Sequence, residues 1–351
     1  MIRVLIIDDS VFIRTVVRDM LSKDPEIEIV GTAPDGIEGL KKIEELRPDV
    51  VTLDIEMPKK NGIEVLEDLR RLGGKRPRVL MLSTLTAKGA EITTTAIRLG
   101  ADDFMLKPRD IPHVREINDD LVSKVHHLIT LPEPVIKRVP QPATTPPDES
   151  VGRLVLIGSS AGGPQMLDDL LAEFPADLPA AVVVTQHMPV GFTAPLAERF
   201  NRICPLTVKE TENGDLLENG KLLVSKAGYH TIITHYTLKN GKKTGKIIHS
   251  GAPPLHGVRP AVDKTFFSGA QVFGKNVVSV ILSGMGNDAG EGAAAIKAAG
   301  GTSIICREED CLVYGMARSA ITHNAVDQVV PLKNIMREIV KAVSKMEDTN
   351  V

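Results

Sequence analysis

The sequence predicts an α/β protein built from two doubly wound parallel sheets, joined by a proline-rich segment. Three observations carry that prediction. Short β-branched runs alternate with amphipathic stretches over the first third of the chain, and the same alternation returns in the last 200 or so residues of the 351. Between them lies "LPEPVIKRVPQPATTPPDES", Leu131 to Ser150, with six prolines and almost no apolar periodicity. Strand–helix alternation of this period gives parallel strands with helices on both faces. Proline lacks the backbone donor and the φ freedom for a helix interior or central strand, so the proline-rich segment reads as a semi-extended linker. At roughly 150 residues per domain, the length fits two domains, each able to bury a core.

Before the linker, "VLIID", "EIVGTA", "DVVTLD", "RVLMLS" and "DFMLK" read as five strands. Val11–Leu21, Gly36–Leu46, Ile63–Leu69 and Lys88–Leu99 carry helical patterns between them. The strands end in Asp8-Asp9, Asp54, Ser83 and Lys107. In a doubly wound sheet the carboxyl ends of the strands lie along one edge, where ligands bind. Three carboxylates, a hydroxyl and an ammonium are therefore expected to meet there. Carboxylates this close repel, and a hard divalent cation with oxygen ligands, Mg²⁺, is the simplest remedy. A carboxylate beside Mg²⁺ and a lysine can attack a phosphoryl group.

After the linker, "LVLIGSS", "AAVVVTQH" and "VVSVILSG" each lead toward a helical pattern. Shorter strands and turns are expected from about Leu206 to Gly251, with hairpin signals at "ENGK" and "KNGK". The stretch "GSSAGGPQ" allows two chemistries. A dinucleotide cradle needs a glycine where Ser160 stands and an acid at the end of the next strand, which instead ends in Gln186-His187. A phosphate-binding Walker loop needs Lys-Ser/Thr where Pro164-Gln165 stand. The alternative fits: Gly158-Ser159-Ser160-Ala161-Gly162 matches G-x-S-x-G, a strand-to-helix turn that exposes its central hydroxyl. A serine nucleophile needs a base, and the base an orienting acid. His187 closes the next strand and Asp288 follows the strand "VVSVIL", so Ser160, His187 and Asp288 are the expected set. Asp263, which could also be a helix cap, is the second choice for the acid. The order Ser…His…Asp differs from the Ser…Asp…His of α/β-hydrolases. Of the other histidines, His113, His126 and His127 are expected to be solvated, His323 to lie on the surface, and His230, His235, His249 and His256 to lack metal spacing.

Composition narrows the field further. A formal net charge of −3 gives no basic face for nucleic acid. Three scattered cysteines, none in a C-x-x-C pair, fit a reducing cytoplasm. "MIRVLIIDDS" is not a signal peptide, and no apolar run reaches the ~18 residues that span a bilayer. No direct membrane insertion is expected.

These residues carry a family resemblance. The first third, about Ile2 to Val125, with "DIEMPKKNG", resembles the receiver domain of bacterial response regulators. That resemblance implies a flavodoxin-like fold, Asp54 as phosphoacceptor, and Mg²⁺ held by Asp8, Asp9, Asp54 and the Glu56 carbonyl. It further implies Ser83 and Lys107 as phosphoryl contacts and Phe104 as the switch aromatic. "IGSSAGGP", "TQHMP", "PPLHGVRPAVD", "LSGMGNDAGEG" and "YGMARSAI" resemble the chemotaxis protein-glutamate methylesterases of the CheB family. The family organisation implies a receiver over 1–128, a linker over 129–150 and a catalytic domain over 151–351. It implies hydrolysis of γ-glutamyl methyl esters on methyl-accepting chemotaxis receptors, with glutamine deamidation as a second activity. Ser160, His187 and Asp288 fall on the catalytic positions, with the Ala161 and Met285 amides as oxyanion donors. A chemotaxis histidine kinase is the implied phosphodonor, and phosphorylation of Asp54 is expected to relieve occlusion of the Ser160 edge. The chain departs from the family at Ala161, Ala289 and Ala317 and in "PPLHGVRP". Two other readings are a non-catalytic receiver-linked adaptor and a general serine esterase; loss of turnover in Ser160→Ala separates the first, and substrate range the second.

Overall fold

The computed structural model describes residues 1–71, 76–84, 86–107, 114–130 and 151–346. The expected linker from Leu131 to Ser150, and His113, lie outside them. The chain divides into two compact units between Leu131 and Pro132.

The first unit carries β1 (Ile2–Ile7), β2 (Ile27–Ala33), β3 (Val50–Asp54), β4 (Arg78–Ser83) and β5 (Asp103–Leu106) in one sheet of order β2-β1-β3-β4-β5. All pairings are parallel. This is the flavodoxin-like order, which places a ligand crevice beside β1 and β3. The strands are buried on both faces, as Val4 to Ile7 at 0 % exposure illustrate, because α1 (Val11–Leu21), α2 (Gly36–Leu46), α3 (Gly62–Arg71), α4 (Ala87–Leu99) and α5 (Val114–Thr130) connect and cover them. Side-chain oxygens start the helices: Ser10, Asp35 and Thr86 accept from the amides of Ile13, Glu38 and Gly89. Helix α5 runs through Ile129 and Thr130, the first two residues of the segment 129–150 expected as linker.

The second unit holds β6 (Leu154–Ser159), α6 (Gly163–Ala172), β7 (Ala181–Gln186), α7 (Thr193–Ile203), β8 (Thr207–Glu210), β9 (Lys221–Val224), β10 (His230–Thr237) and β11 (Lys243–Ser250). There follow α8 (Val262–Phe273), β12 (Val277–Ile281), α9 (Gly290–Ala298), β13 (Thr302–Cys306), α10 (Gly315–Thr322), β14 (Gln328–Val330) and α11 (Leu332–Ser344). Seven strands form a parallel sheet of order β14-β13-β12-β6-β7-β9-β8. Strand order reverses at β6, whose neighbours are β7 on one side and β12 on the other. That is a topological switch point, where open parallel sheets take their ligands.

The region expected to be a turn-rich insertion is half sheet extension. The KNGK turn caps an antiparallel hairpin of β10 and β11, with Gly241 at φ 81°. ENGK, also expected as a hairpin turn, is not one: β8 and β9 on either side of it pair in parallel. Parallel neighbours require a crossover, so Asn219-Gly220 ends that crossover instead of reversing the chain. Helix α8 packs beneath the hairpin, where Thr265 Oγ1 donates to the Thr231 carbonyl and Ser268 Oγ accepts from the Ile233 amide.

Candidate active site

Strand pairing brings the nucleophile and base positions together. Ser159 on β6 lies opposite Gln186 on β7, so the next residues, Ser160 and His187, leave adjacent strands side by side. The His187 amide donates to the Ser159 carbonyl at 3.0 Å. The two serines are then sorted by their surroundings. Ser159 is fully buried and its hydroxyl donates to Gln186 Oε1 at 2.6 Å. Ser160 is only half-buried, and its hydroxyl makes no hydrogen bond among the described residues. Gln186 also clamps the turn through Nε2, which donates at 2.9 Å to the carbonyls of both Ser160 and His187.

The turn after β6 is held from the β12 side as well. The Ser160 amide donates to the Ser283 carbonyl at 2.9 Å, and Ser283 Oγ donates to the Ala161 carbonyl at 2.6 Å. Gly162 takes the left-handed conformation at φ 76°, and a Cβ there would stand 2.8 Å from Leu312 Cβ. Here the strain of a nucleophile elbow falls on glycine, since Ser160 is not among the residues with positive φ.

His187 donates from Nε2 to Asp288 Oδ2 at 2.7 Å. Its Nδ1 is then the nitrogen left with a lone pair to accept a proton. Asp288 is buried at 1 % exposure and accepts three further bonds, from the amides of Val262 (2.6 Å), Asp263 (2.8 Å) and Ala289 (2.9 Å). Burial works against its charge, but His187 and the backbone amides of Asp263 and Val262 outweigh it and hold the carboxyl below the usual range. Asp288 thereby also caps α8, whose own N-cap residue, Ala261, has no side-chain oxygen to offer. The amides of Ala161 and Met285 donate to no described residue, and Met285 is 73 % exposed. A hydroxyl, an imidazole paired with an ionised carboxylate and two free amides are the parts that acyl transfer needs.

Asp263 does not cap its own helix. It accepts from the Gly292 amide of α9 at 2.6 Å and from His256 Nε2 at 2.9 Å. His126 is half-buried, with Nε2 3.0 Å from Asp24 Oδ2, where sequence reading expected a solvated ring. His323 is exposed, and His230 is buried between the Ala261 amide and the Pro253 carbonyl. Sequence reading missed Gln186 as a clamp and His256 as a partner of Asp263. Their positions, next to His187 and seven residues before Asp263, were visible, but nothing local marked their contacts.

In the first unit, Asp8, Asp9 and Asp54 each offer an oxygen within 4.8 Å of the others. Lys107 Nζ lies 2.7 Å from Asp54 Oδ1 and 2.9 Å from Asp8 Oδ2. Burial pushes the Asp54 carboxyl up to about 6, with the Asp8 charge adding to the push and Lys107 opposing it. Burial disfavours the Lys107 ammonium, yet Asp54 and Asp8 hold its pKa above the usual range. Asp54 Oδ2 is buried without a hydrogen-bond partner. A cleft of about 250 Å³ opens there, lined by Asp9, Asp54, Glu56, Thr84 and Lys107 among others. The oxygen-only donor set, the orphaned Asp54 oxygen and the exposed Asp9 fit a hard divalent cation. Ser83 is fully buried at the end of β4, with its hydroxyl engaged by the Gly89 carbonyl (3.3 Å) and Thr93 Oγ1 (2.9 Å). Thr84, not Ser83, lines the cleft. Phe104 is buried on β5. No described helix is long and apolar enough to cross a membrane.

Comparison with known proteins matches residues 155–339 to the family CheB methylesterase and residues 4–118 to the response regulator receiver domain. A protein of Methanospirillum hungatei named protein-glutamate methylesterase/protein-glutamine glutaminase 1 is 57 % identical, with 99 % of each chain covered. One of Pyrococcus abyssi, named protein-glutamate methylesterase/protein-glutamine glutaminase, is 40 % identical over 97 % of this chain and 94 % of the relative. The crystal structure of the Thermotoga maritima CheB methylesterase catalytic domain superposes with a TM-score of 0.51 at 37 % identity, covering 54 % of this chain and 98 % of that one. With both parts matched and full-length relatives at this identity, the chain belongs to the CheB methylesterase family and carries its receiver domain ahead of the catalytic one.

Proposed function

We propose that the chain hydrolyses γ-glutamyl methyl esters on methyl-accepting chemotaxis receptors and deamidates glutamine at such sites, under control of its receiver. Ser160 attacks the ester carbonyl as His187 Nδ1 takes the hydroxyl proton. Asp288 fixes the ring and stabilises the imidazolium. The Ala161 and Met285 amides receive the oxyanion. His187 returns the proton to departing methanol, and then activates the water that releases the glutamyl carboxylate. In deamidation the same proton goes to departing ammonia. The observation that carries this reading is the 2.7 Å bond from His187 to an ionised Asp288, beside a serine hydroxyl with no competing partner. That hydroxyl does not yet bond His187, a looseness common before substrate tightens a site.

In the receiver, Asp54 takes the phosphoryl group from a histidine kinase of the chemotaxis system. Asp8, Asp9, Asp54 and the Glu56 carbonyl would hold Mg²⁺, which supplies charge neutralisation for phosphoryl transfer. The Lys107 ammonium, already shared by Asp54 and Asp8, compensates the charge that the phosphoryl group brings. The deciding assay is methanol release from methylated chemoreceptor membranes, with and without a small phosphodonor and Mg²⁺. Release that requires Ser160 and rises with phosphodonor supports both parts. Chelating the metal is expected to abolish the rise and leave basal release unchanged. A chain beginning at Val151 is expected to release methanol faster than the unphosphorylated whole chain; an unchanged rate would overturn relief of occlusion as the switch.

A further inference from the structure

Two histidine–carboxylate pairs stand side by side in the second unit, and only one belongs to the proposed triad. The pairs are interlocked by reciprocal capping. Asp288 precedes α9 but accepts the first amides of α8, from Val262 and Asp263. Asp263 sits in the first turn of α8 but accepts the Gly292 amide in the first turn of α9. The two carboxylates and His256 each place a polar atom within 4.8 Å of the others. Buried carboxylates this close cannot both stay charged without compensation.

Compensation is unequal. Asp288 accepts four N–H groups, from Val262, Asp263, Ala289 and His187. Asp263, fully buried, accepts two, from Gly292 and His256. Burial pushes Asp263 up to about 6, the Gly292 amide opposes this, and the Asp288 charge adds to it; Asp288 itself is held low. Such divergent environments sort two neighbouring acids into different roles.

Among the described residues His256 is the one side chain that donates to Asp263, and it is held there in an unfavourable backbone conformation. Its φ of 54° is left-handed, which costs a non-glycine residue energy unless the surroundings fix it. The turn is closed by reciprocal bonds between Leu255 and Val258 at 3.1 and 3.0 Å. The His256 side chain is 27 % exposed, so protons reach it from solvent. The other groups around the pair are accounted for. His230, on β10, is fixed between the Ala261 amide and the Pro253 carbonyl. Arg259 is bound to the Gly251 and Ala252 carbonyls. On α9, Glu291 is exposed, and Lys264 on α8 is half-buried.

We propose that His256 is a positioning residue for the esterase: by sharing a proton with Asp263 it keeps that acid from donating to Asp288, and so leaves Asp288 free to orient His187. The proposal rests on the triad reading. Without His256, Asp263 retains its own proton into the neutral range. Its O–H then competes for a carboxylate whose acceptor positions are already taken by His187 and three amides.

The test measures methanol release by the full chain from methylated chemoreceptor membranes as a function of pH. The variants are His256→Gln, Asp263→Asn, the double variant and Ser160→Ala. His256→Gln is expected to lower kcat at pH 7 by about tenfold, to leave KM within about twofold, and to move the acid limb of kcat to higher pH. The double variant removes the titrating acid, so its acid limb returns close to wild type. Asp263→Asn alone is expected to keep the wild-type acid limb, and it tests the idea if His256→Gln fails to fold. A role confined to pinning the 251–260 loop predicts that the double variant is no better than His256→Gln; that result, or an unmoved acid limb in His256→Gln, overturns the proposal. Retained turnover in Ser160→Ala defeats the triad reading itself. An inactive Ser160→Ala beside an unshifted His256→Gln defeats only the positioning role.

Discussion

Both units gather carboxylates at the carboxyl edge of a parallel sheet, yet they treat them in opposite ways. In the first, Asp8 and Asp54 share one lysine with Asp9 close beside them, Asp54 Oδ2 has no hydrogen-bond partner, and burial lifts Asp54 to about 6. In the second, Asp288 is saturated by three amides and His187 and stays charged although almost completely buried. A carboxylate left under-compensated is poised to accept something new, a cation or a phosphoryl group. A carboxylate that is fully compensated cannot change partners and serves to hold another residue. Coordination, rather than burial, distinguishes a receiving acid from an orienting one.

The comparison predicts very different consequences for the same Asp→Asn change, with Ser160→Ala as the reference for complete loss. Ser160→Ala is expected to lower methanol release by about 10⁵-fold or more, since residual catalysis comes from binding and oxyanion donors alone. Asp288→Asn keeps the shape but can present an amide N–H to His187, which favours the wrong tautomer. A fall of about 10³–10⁴-fold in kcat with little change in KM is expected, measured by the same assay. A fall of less than tenfold would mean that Asp288 does not orient the base. Because Asp288 also caps α8, its loss should lower the melting temperature of the catalytic unit as well.

Asp54→Asn is expected to do the reverse to stability. The folded-state pKa of Asp54, about 6, lies above the ordinary aspartate value of 3.8. The native state therefore binds its proton more tightly than the unfolded state. By linkage, this acid makes folding less favourable as pH rises from about 4 to about 6, and by a constant amount above that. In metal-free buffer at pH 7.5, Asp54→Asn is expected to stabilise the receiver by about 1–3 kcal/mol, a gain that vanishes below about pH 4. Urea melts across that range measure it. The same variant should lose all phosphodonor stimulation while keeping basal release. A destabilised Asp54→Asn receiver would mean that the Lys107 bond outweighs burial.

Legibility in the sequence followed the same division. Strand ends were readable because β-branched runs terminate in polar residues, and the parallel-sheet rule then places those ends on one edge. Ser160, His187 and Asp288 could be assembled from that rule alone, as could Asp8, Asp9, Asp54 and Lys107. Contacts made across helices were not readable. The Asp263–His256 pair depends on a left-handed turn, and the Gln186 clamp depends on register between β6 and β7. The ENGK signal misled because Asn-Gly reports a local positive φ, which a crossover loop uses as readily as a hairpin; Gly220 has φ 72° in that role. Strands β8 and β9 are only four residues each, too short for periodicity to declare their direction.

Ser83 supplies the smallest effect and the finest test of the comparison. If the receiver is the unit left open to change, its hydroxyl should be able to change partners too. In the present arrangement it is occupied by the first two turns of α4, through the Gly89 carbonyl at 3.3 Å and Thr93 Oγ1 at 2.9 Å. The Gly89 contact lies at the long end of hydrogen bonding, and a neutral bond of this kind contributes about 1 kcal/mol or less. A phosphoryl oxygen on Asp54 offers a charged acceptor, with which a hydroxyl bonds about twice as strongly. The exchange is therefore favourable once Asp54 is modified, and it would draw the end of β4 away from α4. Ser83→Ala is expected to lower receiver stability by about 1 kcal/mol, leave basal methanol release unchanged, and reduce the phosphodonor-stimulated rate several-fold. Stimulation at the wild-type level in Ser83→Ala would restrict this hydroxyl to fastening α4, and would leave Thr84, which lines the Asp54 cleft, as the hydroxyl to examine next.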